Sequence, residues 1–185
     1  MSPAGLLLAA GAGSRMGMPK ALVTGEDGTP WLVRGVAALR EGGCDPVAVV
    51  LGAAAEEAMV LLPDGARVVV AEDWAEGMSA SLRAGLAAVA GSGAEAVLVS
   101  LVDLPDVGPE VVRRVAAAAA GPAALARATY DGRPGHPVLL GRDHWAGVVE
   151  ETGGDAGARG YLATHDVQGV ECGDLATGRD VDRRP

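Results

Sequence analysis

Four short apolar runs, Gly5–Ala10, Pro46–Leu51, Arg67–Ala71 and Ala96–Val102, alternate with segments of helical pattern. Runs made almost wholly of Val, Ala and Leu have no polar face to offer water, so each strand must be covered on both sides. Strand and helix in strict alternation then restrict the chain to a mostly parallel sheet with helices on both faces. The helical segments are Thr29-Pro30 to Glu41, stopped by Gly42-Gly43, then Ala54–Leu62, Ser79–Ala90, and Pro109–Ala120 between Gly108 and Gly121. Thr29 reads as an N-cap and Pro30 as a first helical residue. From about Leu125 the rhythm changes. A strand at Ala124–Thr129 turns through Asp131-Gly132-Arg133-Pro134-Gly135 into Pro137–Leu140, as a hairpin does. A helix near Arg142–Glu150, a Gly/Asp-rich loop at Gly153–Gly160 and a last strand near Val167–Cys172 complete the pattern. With 185 residues, the whole span 1–185 reads as a single domain.

Composition excludes several partners. The net charge of −9 argues against nucleic acid and against an anionic membrane surface, both of which select basic faces. The apolar start, residues 4–10, is too short to span a bilayer and lacks the layout of a signal peptide. Cys44 and Cys172 have no zinc-ligand spacing, so two reduced thiols in a cytoplasmic protein are expected.

The stretch most informative about function is Leu6 to Lys20, where an apolar run breaks into Gly11, Gly13 and Gly17 with Arg15 and Lys20 among them. Glycine lets the backbone pass through positive φ and bring its N–H groups close to a ligand, and the two cations supply charge that peptide dipoles lack. The Walker pattern fails, because Gly17 is followed by Met18-Pro19-Lys20. The dinucleotide fingerprint fails too: the spacing is Gly-x-Gly-x-x-x-Gly, and the second strand ends in Leu51-Gly52 without the acid that holds a ribose diol. A loop poised over phosphates remains, suited to binding, hydrolysis or transfer. The plain alternative is a Gly-rich turn with solvated cations.

Asp103, in Val102-Asp103-Leu104-Pro105, leaves the carboxyl end of a buried strand and can face the same crevice. It suits Mg²⁺, which takes one or two carboxylates together with substrate phosphates; as a bare residue it could equally cap a turn. A second carboxylate comes from Asp180 or Asp182, in a charged tail that could also be merely solvated. Ser79 and Ser81 open a helix in Gly77-Met78-Ser79-Ala80-Ser81-Leu82 and are either capping residues or nucleotide contacts. His136, between Gly135 and Pro137 in a turn, is a substrate contact or a turn-stabilising donor. Asp155 and Arg159, in Gly154-Asp155-Ala156-Gly157-Ala158-Arg159, stand at a helix start and either pair with each other or meet the substrate. His144 and His165 read as surface residues without partners.

These five stretches together resemble the molybdopterin nucleotidyltransferases (MobA-like NTP transferases), most closely the molybdenum cofactor cytidylyltransferase branch. The first loop is similar to that family's Leu-Ala-Ala-Gly-x-x-x-Arg-Met-Gly-x-x-Lys signature from Leu8 to Lys20, and the other segments follow the order of its later blocks. The resemblance implies a Rossmann-like, doubly wound α/β fold of the nucleotide-diphospho-sugar transferase type. It implies attack of an acceptor phosphate on the α-phosphorus of a nucleoside triphosphate, with Mg²⁺ as cofactor and pyrophosphate released. Arg15 and Lys20 would hold the triphosphate and Asp103 the metal. Leu8, Ala9, Ala10, Gly11, Ala12 and Gly13 would line the nucleotide, and His136, Asp155 and Arg159 would face an acceptor such as molybdopterin. Ala10, where guanylyl-transferring relatives carry a second glycine, implies CTP. A molybdoenzyme or its accessory protein is the implied protein partner.

The family often closes with Asp-Ile-Asp-Thr-Pro-Glu-Asp, whereas this chain reads Asp180-Val181-Asp182-Arg183-Arg184-Pro185, so the two aspartates are kept and a closing helix is not expected. An acceptor phosphate is already an anionic nucleophile and needs no general base, in keeping with the absence of any Ser-His-Asp or Cys-His arrangement. The rival readings are guanylyl or other nucleotidyl transfer to a different phosphorylated small molecule, and a non-catalytic nucleotide-binding accessory protein on the same fold. A nicotinamide-dependent dehydrogenase is a more distant rival.

Overall fold

The computed structural model describes residues 2–182. The expectation of no closing helix falls on residues 183–185 and lies outside the described residues. The apolar runs become β1 (Ala4–Ala9), β2 (Val47–Leu51), β3 (Arg67–Val70) and β4 (Ala96–Leu101). They alternate with α1 (Trp31–Glu41), α2 (Ala55–Met59), α3 (Met78–Ala90) and α4 (Pro109–Ala118). After α4 come β5 (Leu125–Tyr130), β6 (Arg133–Gly141), α5 (Trp145–Glu151), α6 (Arg159–Ala163) and β7 (Gln168–Glu171).

The strands form one seven-stranded sheet in the order β3-β2-β1-β4-β6-β5-β7. All neighbours pair in parallel except β6, which is antiparallel to both β4 and β5. The chain winds outward from β1 through β2 to β3, then returns to start the other half at β4. The order therefore reverses between β1 and β4, and in open α/β sheets ligands bind beyond the carboxyl ends of strands at such a point.

Successive side chains of β1 point to opposite faces, so Leu7 joins one fully buried cluster with Val36, Val49 and Val112 while Leu6 joins the other with Val50, Leu86 and Val97. Two helical glycines set how closely the layers approach. A Cβ on Gly35 of α1 would lie 2.8 Å from Leu7, and one on Gly85 of α3 would lie 2.6 Å from Leu6. Helices α1 and α3 thus clamp β1 from opposite sides, and the loop leaving its carboxyl end starts from a rigid base.

Helix α1 corrects one expectation. Pro30, not Thr29, is its N-cap, and Thr29 Oγ1 instead donates to Asp27 Oδ2 at 3.0 Å within its own turn. The β5–β6 hairpin turns on Asp131 (φ 52°) and Gly132 (φ 74°), the two positive-φ positions that a tight two-residue connection requires. The Gly/Asp-rich stretch after α5 is not all loop: it contains a 3-10 turn (Gly154–Ala156) and leads into α6, which begins at Arg159 at the helix start the sequence indicates. Cys44 and Cys172 are buried and free. No helix among the described residues is long and apolar enough to cross a membrane.

Candidate active site

Two adjoining cavities open at the carboxyl ends of β1 and β4. The first, about 540 Å³, is lined by Leu8 through Arg15, by Lys20, by Trp74 and Ser81, and by Asp103, Asp180 and Asp182. The second, about 590 Å³, is lined by Arg127, His136 and Asp155 through Arg159, and it shares Leu8, Met78, Leu101, Asp103, Asp155 and Asp180 with the first. The layout suits two substrates that meet at Asp103.

The first cavity is a backbone cradle. Gly13 has φ 61°, and a Cβ there would collide with the Met18 carbonyl, so the return of the loop depends on glycine at this position. Gly13 O accepts from the N–H groups of Met16 (2.8 Å) and Gly17 (2.9 Å), which closes the turn. Among the described residues the N–H groups of Gly11 through Arg15 have no acceptor in the protein. Successive unpaired N–H donors on a concave loop form an anion-binding nest. Helix α3 adds its N-terminus beside them, entered through Gly77 with no side-chain cap.

Where the cavities meet, Lys20 Nζ donates to Asp103 Oδ2 at 2.5 Å and to Asp182 Oδ1 at 2.6 Å, while Arg15 reaches Asp182 Oδ2 at 3.2 Å. Burial would lower the Lys20 pKa, but hydrogen bonds and charge from Asp103 and Asp182 outweigh it and leave the ammonium above its ordinary range. The same contacts, Lys20 first and Arg15 after it, hold Asp182 below the usual carboxylate range.

The structure explains how so distant a residue as Asp182 arrives. The chain after β7 is tied down by Arg114 on Asp174 and by Thr177 on Asp106. It crosses the Tyr130 ring at Gly178, where any side chain would clash, and Val181 N donates to the Asp103 carbonyl at 3.0 Å.

The residues present fit a hard divalent cation. Asp103, Asp180 and Asp182 each offer a carboxylate oxygen within 4.8 Å of the others, and Asp103 Oδ1 is buried with no hydrogen-bond partner. Carboxylate oxygens alone, with no imidazole or thiolate, are the donor set of Mg²⁺ or Mn²⁺. Lys20 supplies a cation between two of these carboxylates.

The second cavity sets the guanidiniums of Arg127 and Arg159 opposite the carboxylates of Asp103, Asp155 and Asp180. Tyr130 Oη donates to the His136 carbonyl at 2.7 Å and fixes the turn that presents the ring. Burial, then the guanidinium charges of Arg127 and Arg159, pull His136 down to about 4, so its ring is neutral near pH 7. Asp155 and Arg159 make no ion pair with each other among the described residues, which leaves both side chains open to a ligand.

With this geometry, the comparison with known proteins is direct. The sequence matches the MobA-like NTP transferase domain over residues 5–169. The chain belongs to that family. It is 37% identical over 190 residues to the nicotine blue oxidoreductase of Paenarthrobacter nicotinovorans, covering 96% of this chain and 91% of that one. It is 34% identical over 157 residues to the molybdenum cofactor guanylyltransferase of Rhodobacter capsulatus, covering 80% and 68% of the two chains. Among solved structures it superposes on the manganese complex of Rv0371C from Mycobacterium tuberculosis with a TM-score of 0.78 and 28% identity, covering 98% and 94%.

Within this MobA-like chain most of the expected residues converge on the two cavities. Ser79 does not. Its side chain is buried, its Oγ has no partner, and it lines neither cavity, whereas Ser81, two residues on, faces the first one. Along a helix residues two apart point in different directions, so both hydroxyls could not serve one ligand. His144 and His165 are not partnerless surface residues: His144 Nδ1 lies 2.8 Å from Tyr161 Oη, and the His165 ring stacks on Tyr161 at 3.8 Å between centroids. Sequence reasoning missed Trp74 and Arg127, which line the first and second cavity respectively. Trp74 carried no usable signal, because it packs against Gly52 only once β2 and β3 are paired. Arg127, a charge inside an otherwise apolar strand, was a signal available and unread.

Proposed function

We propose that this MobA-like chain is a cytoplasmic, divalent-metal-dependent nucleotidyltransferase. In our reading it moves CMP from CTP onto the phosphate of molybdopterin or its molybdenum form and releases pyrophosphate. The observation that carries the reading is the junction at Asp103, where a lysine bridges two carboxylates beside an unpaired N–H cradle and between two cavities.

The N–H groups of Gly11–Arg15 and the Arg15 guanidinium bind the triphosphate, and the Lys20 ammonium offsets charge building at the α-phosphorus. The acceptor phosphate, held from the second cavity, attacks with an oxygen that already carries charge, and the bond to the bridging oxygen of pyrophosphate breaks. Positioning and charge neutralisation do the work, without a general base. Mg²⁺ or Mn²⁺ held by Asp103 and Asp182, with Asp180 beside them, supplies further neutralisation at phosphorus when bound. Leu8, Leu82 and Leu101 give the junction an apolar wall that limits water competing as nucleophile. Ala10 supports the choice of base: its buried methyl fills space that a glycine would leave, which favours the smaller pyrimidine.

The oxidoreductase name of the 37%-identical relative makes a redox reaction the second reading. Against it stands the end of β2, where Leu51-Gly52 offers no carboxylate for the ribose of a nicotinamide dinucleotide.

One experiment separates these readings. Pyrophosphate release is measured with CTP, GTP, ATP and UTP in the presence of Mg²⁺ and molybdopterin, alongside oxidation of NADH and NADPH. The expected result is release with CTP foremost, lowered about 10²–10³-fold in Asp103→Ala at unchanged circular dichroism. Preference for GTP overturns the base alone. No release with any nucleotide, or full turnover in Asp103→Ala, overturns the transferase reading.

A further inference from the structure

The second cavity holds two guanidinium groups that, among the described residues, form no ion pair. Arg127 stands on β5 and Arg159 begins α6, and both line the cavity together with His136. Among the described residues neither has a carboxylate within reach, although Arg34, Arg83 and Arg114 all pair with Asp or Glu. Arg127 makes one hydrogen bond, from its guanidinium to the Gly135 carbonyl at 3.2 Å, and its Nε is buried without an acceptor. Burial, then the nearby Arg159, holds Arg127 below the ordinary arginine range. Asp103, Asp155 and Asp180 line the same cavity but pair with neither arginine, so the two guanidiniums repel each other in a partly buried pocket unless an anion comes between them. A guanidinium pair gives an oxyanion several charge-assisted hydrogen bonds in a fixed geometry.

Their position decides which anion. Arg127 pairs across β6 with Val138, and Val138 pairs with Val99 of β4. At about 4.8 Å between strands, the Arg127 backbone lies about 10 Å across the sheet from Val99. Asp103 lies four residues further along the chain from Val99. Neither arginine contacts Asp103, Asp180 or Asp182. A phosphate that attacks at the α-phosphorus must sit beside those carboxylates, out of the arginines' place.

We propose that Arg127 and Arg159 grip a second anionic group of the acceptor, at the end remote from its attacking phosphate. The acceptor is then a molecule anionic at both ends. The assignment of the near end rests on the nucleotidyl-transfer reading, whereas the anion grip stands independently of the reaction.

The test uses 1,4-butanediyl bisphosphate and butyl phosphate as probes of the purified full chain. Binding is followed by calorimetry and by the ring-proton NMR signals of His136, which lines the same cavity as both guanidiniums. The bisphosphate should bind at least about tenfold more tightly, or 1.4 kcal/mol, and shift the His136 signals saturably. In Arg127→Gln/Arg159→Gln that advantage should vanish, and butyl phosphate, whose one phosphate also takes the guanidinium pair, should bind more weakly than to the parent chain. Arg159 is exposed, so Arg159→Gln alone keeps the test available if the double variant does not fold. Equal affinity for the two probes, an unmoved His136, or an advantage that survives the substitutions overturns the proposal. Thermal stabilisation by Mg²⁺ with CTP or GTP, read on the same samples, tests the nucleotide site separately. If no nucleotide stabilises the chain, the transferase reading falls and the His136 shift still decides the anion grip.

Discussion

Replacing Lys20 by Met removes one ammonium from between two carboxylates and keeps the length of an apolar stem. The Lys20 side chain is 17% exposed, Asp103 14% and Asp182 34%. A hydrogen bond to a charged group contributes about 1.5–3 kcal/mol, and a pair open to solvent on one side contributes less. Discounting the Asp182 contact and counting the Asp103 contact nearly in full leaves a loss of about 2 kcal/mol. For a chain of this size that is about 4–8 °C in Tm. The loss should reverse when a divalent ion is added, because Asp103 and Asp182 then no longer share an ammonium and, with Asp180, bind Mn²⁺ more tightly. A ligand specific to the native state stabilises by RT ln(1 + [L]/Kd), so Mn²⁺ should raise the stability of Lys20→Met more than that of the parent chain.

Urea unfolding at pH 7 in EDTA and in MnCl₂ provides the measurement. The Lys20 contribution is fully present there, since a raised pKa keeps it intact until pH climbs through a value above the ordinary 10.5. Lys20→Met as stable as the parent chain in EDTA would refute the bridging role. Mn²⁺ stabilising the parent chain as much as the variant would refute the shared site.

His136 gives a pH signature. Its pKa falls from an ordinary 6.5 to about 4, so between these values the unfolded chain binds more protons and stability must drop as pH falls through that window. His136→Gln should flatten this drop in urea unfolding measured from pH 7 to pH 4, and an unchanged profile would sink the assignment. Gly77→Ala should cost about 2 kcal/mol in the same unfolding assay. Gly77 has φ 108°, and a Cβ would meet Asp155 Oδ1 at 2.5 Å and the Gly154 backbone at 2.7 Å. Unchanged stability would mean that the turn seating α3 yields more easily than its contacts indicate.

Sequence alone determined the winding of this protein and half of its candidate site. Near-continuous apolar runs are buried as covered strands in β1, β2 and β4, so these and α1, α3 and α4 were legible from local pattern, whereas β3 lies at the sheet edge with Val68 and Val70 exposed rather than covered. Asp131-Gly132 likewise announced its hairpin, because few residues other than glycine, asparagine and aspartate adopt positive φ. Gly11 to Lys20 and Asp103 were legible for the same local reason: each follows directly from a buried strand whose carboxyl end must open on the crevice. Tertiary structure decided the rest. Asp182 reaches Lys20 across 162 positions of chain because Gly178 clears Tyr130 and Val181 docks on Asp103, contacts that have no period and no local cue. The pairing of Arg127 with Arg159 depends on β6 inserting between β4 and β5, and the split between Ser79 and Ser81 depends on which face α3 turns to the sheet. Local sequence carries the cost of burying a segment, so it specifies strands and loops. Which loops then share a site is a matter of sheet order and helix rotation, and those are settled only when the segments pack.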